Sequence, residues 1–204
     1  MTKNLSRTIY GAIFLGGFLI LAIQLLVIDL LGISTQSISI IISIALLSLS
    51  IGFYSGGGGF KREDYFSKFL FQKSVMNRLG LNAFLVYIII HVGFDYFSFS
   101  EFAKFSNISN YELNLAIYLT IYFAPIFVLL GQFLPLLSTL FDGEGDFSEL
   151  SGHLMFVSTL GSFVGSLTTS FILIPNLCIK TSLSIIILIL VLLIFFTGIT
   201  KKKH

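Results

Sequence analysis

The sequence predicts an all-α fold, a polytopic bundle of about six transmembrane helices with one interfacial amphipathic helix. Three observations predict it. Hydrophobic residues make up 55% of the chain and charged residues only 11%, where a soluble domain carries about a quarter charged. Mean hydropathy is +0.97. Six apolar runs each approach the roughly 20 residues that a helix needs to cross a hydrocarbon core of about 30 Å. The chain is therefore read as one domain, residues 1–204, with lipid completing its packing. A net charge of +2 gives no basic field for nucleic acid. The single cysteine, Cys178, excludes an internal disulfide, a cysteine-based metal cluster or a redox pair, and no cofactor or metal site is expected.

The spans are expected at residues 8–31, 33–54, 81–99, 112–141, 152–174 and 181–199, with the interfacial helix at 61–79. Basic residues set their orientation. Lys3 and Arg7, the group Lys61, Arg62, Lys68, Lys73 and Arg78, and the terminal Lys201, Lys202 and Lys203 fall on one side; only Lys104 and Lys180 fall on the other. Both termini are thus expected in the cytoplasm of a cell that carries the protein in its plasma or inner membrane. With no tryptophan in the chain, phenylalanine and tyrosine must supply any interfacial belt.

Span 1 carries Gly11, Gly16 and Gly17, then Gln24 at mid-depth and Asp29 near its outer end. Small residues let backbones approach closely. Gln24 suits either a helix–helix hydrogen bond or a ligand contact, and an intramembrane acid such as Asp29 is a functional candidate by default, although near the outer edge it can reach water. Span 2 carries Ser39, Ser43 and Ser50 on one face, expected to meet a neighbouring helix or a wet cavity, and runs into Gly56-Gly57-Gly58-Gly59. Four glycines cannot hold a helix against their backbone entropy, so a turn is expected. Segment 61–79 interleaves charge with Phe66, Phe69 and Leu70, the composition of a helix lying on anionic lipid or of a docking surface.

Span 3 holds His91 and Asp95 four residues apart, a spacing that puts them on one face. A carboxylate beside an imidazole favours the protonated ring, so the pair suits proton or cation handling or a mutual structural tie. A polar connection over 100–111 is expected outside. Span 4 is too long for one straight crossing and contains Pro125 and Pro135, with Gln132 between them. Each proline removes an internal hydrogen bond, and a broken helix with an amide in its break is one way to build a mid-membrane site. The hinge from Asp142 to Glu149 has the acids of a calcium loop without its turn glycine or its final glutamate, since Phe147 and His153 stand there; a solvated acidic loop is expected, and His153 and Asp29 remain secondary candidates. Span 5 lines Ser158, Ser162, Gly165 and Thr169 along one stripe beside Gly161, a packing face that makes this helix central. Span 6 is almost wholly apolar over 185–196 and is expected to face lipid.

Several of these passages together resemble a known family. GFLILAIQLLVIDLLG (17–32), IALLSLSIGFYSGGGGFKR (44–62), LLGQFLP (129–135) and STLGSFVGSLTTSFIL (158–173) are similar to the membrane half of the spermidine synthase-like membrane proteins. Those proteins share a Gln or Glu in the first helix, a Gly-Tyr-x-x-Gly-Gly end to the second, an LGQ-x-x-P helix and an STLGS-x-x-G helix. Two departures are visible: Asp29 stands about where the family commonly has arginine, and no segment supplies the family's cytosolic aminopropyltransferase domain. The resemblance implies an integral membrane protein, a transporter or membrane module for a small cationic metabolite such as a polyamine. Gln24, His91, Asp95 and Gln132 would line its cavity, with no catalytic residue. The alternatives are a non-transporting scaffold that docks a separate soluble aminopropyltransferase and, last, an intramembrane enzyme using His91 as base. A six-helix chain is small for a transporter, so a homodimer is also expected.

Overall fold

The computed structural model describes residues 3–57, 96–138, 147–179, 181–186, 188, 189 and 191. Within them every regular element is helical: α1 (Lys3–Leu31), α2 (Thr35–Gly56), α3 (Tyr96–Ser106), α4 (Tyr111–Tyr122), α5 (Ala124–Gly131), α6 (Phe133–Ser138), α7 (Phe147–Thr168), a π-helical turn (Thr169–Leu173) and α8 (Ile174–Asn176). Residues 181–186 are helical as well. Windows within α1 (Ile9–Leu31), α2 (Thr35–Gly56) and the α7–α8 run (Leu150–Asn176) are long and apolar enough to cross a membrane, and α4 with α5–α6 forms a fourth candidate bent by 47°. The expected span at 81–99, the interfacial helix at 61–79 and most of the span at 181–199 lie outside the described residues.

Local chemistry explains the helix ends. Ser34 caps α2, its hydroxyl accepting the Ser37 amide at 3.0 Å, and Asn110 caps α4, its side-chain oxygen accepting the Leu113 amide at 3.1 Å. These bonds satisfy amides that have no partner inside the helix. Each proline has an irregularity just before it. A proline ring presses on the carbonyl four residues back and offers no N–H to it. For Pro125 that carbonyl belongs to Ile121, and the helix breaks at Phe123. For Pro135 it belongs to Gly131, and the helix breaks at Gln132. For Pro175 it belongs to Phe171, inside the π-helical turn, where the Ile174 amide reaches back to the Thr169 carbonyl.

Backbone contacts give the helix directions. Gly161 lies on the Phe14 backbone and Gly165 on that of Phe18, so α1 and α7 are parallel. Gly52 lies on Val128 and Gly56 on Gln132, so α2 and α5 are parallel. Gly16 meets the Phe133 ring while the Tyr111 hydroxyl donates to the Leu31 carbonyl at 3.2 Å, so the α4–α6 run is antiparallel to α1. Two parallel pairs of opposite sense thus make the described bundle.

Two expectations change. Helix α3 runs to Ser106, so between it and α4 only residues 107–110 form the turn. Asn107 takes φ +54 in it, a left-handed conformation asparagine tolerates. Asn114 ties the turn down by donating to the Ile108 carbonyl at 2.7 Å and bonding the Ser106 hydroxyl. Among the described helices α1 is the most enclosed, with 56% of its apolar window buried; the window containing α7 is only 22% buried, its glycine stripe packed and its Met155, Phe156, Phe163 and Phe171 side exposed. Many small residues in α7 serve one seam, and the opposite side of that helix is apolar and exposed.

Candidate functional site

The helix break at Gln132 is the most developed polar feature in the described interior. Gln132 is 1% exposed. Its side-chain Nε2 donates to the Ser55 hydroxyl at 3.0 Å, and that hydroxyl donates to the Gly52 carbonyl at 3.0 Å. The chain Gln132–Ser55–Gly52 therefore links the break to the last turn of α2. Glycines make the approach possible. A Cβ on Gly131 would stand 2.7 Å from the Leu49 carbonyl oxygen, and one on Gly56 would stand 2.9 Å from the Gln132 backbone. A Cβ on Gly52 would collide with the Val128 carbonyl. Any larger residue there separates α2 from α5 and takes Ser55 away from the amide.

Ser55, Gly52 and Gly56 were not among the residues expected at a site. The signal was present as Gly52-x-x-Ser55-Gly56, a small-x-x-x-small spacing at the end of span 2. The glycine run pointed to a flexible or tightly apposed turn; Gly56 is the last helical residue, Gly57 caps it in a turn, and Gly58 and Gly59 lie outside the described residues. The serines expected to face a neighbour, Ser39, Ser43 and Ser50, are exposed; the buried ones are Ser37, Ser48 and Ser55. Ser48 and Ser55 are seven apart, two helical turns on one side of α2, and that side faces the broken helix.

Gln24 is half-buried on α1. Gly16, which meets Phe133 beside Gln132, precedes it by eight residues, about 12 Å of helix axis. The two glutamines therefore occupy different levels of the bundle. Gln24 is level with another buried polar group. Ser162 donates to the Gly17 carbonyl at 3.1 Å, and seven residues on in both parallel helices come Gln24 and Thr169. Thr169 is wholly buried and its hydroxyl has no hydrogen-bond partner. Thr169 opens the π-helical turn, a distortion that frequently marks functional sites.

Asp29 and His153 are exposed. His91 and Asp95 lie outside the described residues. Ser158, Gly161, Ser162 and Gly165 sit on the α1 seam: Gly161 and Gly165 bear on the Phe14 and Phe18 backbones, and the Ser158 carbonyl bears on Gly17. Pro125 and Pro135 follow the two breaks of the α4–α6 run. Among the described residues no group of three or more His, Cys, Asp or Glu converges as a metal site. No protein-family model matches this chain, and no curated protein or solved structure matches it significantly.

Proposed function

We propose that the chain is a membrane module of spermidine synthase-like type that moves a small cationic metabolite, such as a polyamine, across the bilayer. The observation that carries the reading is the buried Gln132 amide, set in a proline-made break and tied to α2 through one hydroxyl. Backbone groups freed by a broken helix must face protein or a water-lined cavity in a membrane, so such a break is where a polar solute finds partners. Gln132 supplies neutral amide chemistry, and His91 with Asp95 supplies the charge for cation or proton coupling. Gln24, at another level, contributes at a different stage of passage. Aminopropyl transfer is not assigned to these residues.

Proteoliposome uptake of radiolabelled spermidine tests the reading. His91→Ala and Asp95→Asn each reduce uptake at least about tenfold, the loss expected when one member of a coupled charge pair in low dielectric is removed. Wild-type rates in both variants would end the coupling role, and no uptake by the wild-type protein would end the transport reading. The second reading, a scaffold for a soluble aminopropyltransferase, draws on the charged and phenylalanine-rich 61–79 segment. It expects pull-down of such an enzyme by the wild-type chain and its loss when Phe66 and Phe69 become serine.

A further inference from the structure

The end of the bundle away from Gln132 carries a cleft of about 530 Å³, lined by Thr35, Gln36, Ser39, Ile40, Asn110 and Glu112. It is a shallow groove open to solvent, with Thr35, Gln36, Ser39 and Asn110 exposed and Ile40 and Glu112 half-buried. The cleft lies between the first turns of α2 and α4. Glu112 is its one charged lining residue, is half-buried, and forms no ion pair among the described residues.

The lining selects for a cation. The Ser39 hydroxyl donates to the Thr35 carbonyl at 2.9 Å, so its oxygen lone pairs remain for a ligand. Thr35 and Gln36 add further acceptors, and Ile40 offers an apolar wall for methylene groups. Two helix N-termini would ordinarily invite an anion. Here side-chain caps already satisfy part of them: Ser34 takes the Ser37 amide and Asn110 the Leu113 amide. The Glu112 carboxylate then repels an anion outright. The walls are fixed before a ligand arrives, because the Tyr111 hydroxyl holds α4 to the Leu31 carbonyl and Asn114 closes the preceding turn.

We propose that this cleft is a binding site for a primary-amine cation, with Glu112 pairing with the ammonium group and Thr35, Gln36 and Ser39 accepting its remaining hydrogens. The choice of amine rests on the cationic-solute reading above; the cleft and its charge do not. The amine can come from a free polyamine or from a lipid headgroup.

Calorimetric titration of spermidine into the full chain, in nanodiscs of phosphatidylcholine alone at low salt, tests the site. Glu112→Gln weakens binding about tenfold, and Gln36→Glu, which adds a carboxylate where a helix first turn favours one, tightens it several-fold. Added salt weakens wild-type binding, as for any accessible charge pair. Ethanolamine lipid in the discs competes with spermidine in the wild type if the headgroup is the occupant, and leaves the affinity unchanged if the free amine is. No wild-type binding, or the same affinity in both variants, overturns the site. Uptake in liposomes is read separately: binding that depends on Glu112 in a chain without uptake keeps the site and removes the transport reading, while uptake with Glu112-independent binding does the reverse.

Discussion

Among the described helices, two close crossings are built from the same residue type, and they differ in what surrounds the glycines. In the α1–α7 seam, Gly17, Gly161 and Gly165 bring two unbroken helical faces together until carbonyls lie where side chains would stand. One side-chain hydrogen bond crosses it, from the Ser162 hydroxyl to the Gly17 carbonyl. In the α2–α5 seam, Gly52, Gly56 and Gly131 do the same work, but the partner helix is interrupted at Phe123 and Gln132. There the polar link runs from a side chain in the break, through Ser55, to a carbonyl. Association of helices in lipid depends on packing and hydrogen bonds rather than on hydrophobic burial. An unbroken pair with continuous glycine contact can be shifted only as a unit. A broken pair can shift at its break and exchange one hydrogen bond for another, which makes the second seam the one suited to a moving part.

That contrast can be broken experimentally, beginning where the effect is largest. Gly161→Val drives a branched side chain into the Phe14 backbone, and neither helix has a break to relieve it. Stability should fall by about 3 kcal/mol, the upper range for overpacking, read as loss of the folded fraction in a thermal or detergent titration. A Gly131→Val variant that loses as much would show the broken seam to be equally unyielding. Next comes Gln132→Leu. Transmembrane side-chain hydrogen bonds average about 0.6 kcal/mol, and Ser55 keeps its bond to the Gly52 carbonyl, so stability should change by less than about 1 kcal/mol while spermidine uptake falls. Large destabilisation with uptake intact would make Gln132 a structural tie. The smallest effect has the opposite sign. Thr169→Val keeps the shape and removes a buried hydroxyl that has no partner; unfolding should shift upward by about 1 kcal/mol, the low end of the penalty for an unsatisfied polar group. A loss of stability would mean that the hydroxyl is engaged.

Much of the architecture was legible in residues taken singly. Pro125 and Pro135 announced the two breaks of the α4–α6 run because a missing N–H and a fixed ring act on the proline's own helix. Pro175 acts by the same rule and was passed over, because it stood at the expected end of a span. The STLGS-x-x-G stripe announced a packing face, since spacing alone puts those residues on one side of a helix. Its partner was not legible, nor was the fact that the first helix, and not this one, is most enclosed. The serines of α2 show why. Ser39, Ser43 and Ser50 share a face by spacing just as Ser48 and Ser55 do, and periodicity cannot say which face turns inward.

What the sequence determined by itself follows from local physics: helical elements of membrane-crossing length and proline-made interruptions. Tertiary structure alone decided that Gln132 meets Ser55 across 77 residues of chain, that Gly52 and Gly56 are a seam, and that Thr35 and Glu112 share a cleft. Those pairings depend on how whole helix faces compete for one another. A backbone hydrogen bond four residues long is fixed by its neighbours, whereas a contact between distant helices is fixed by every other helix in the bundle.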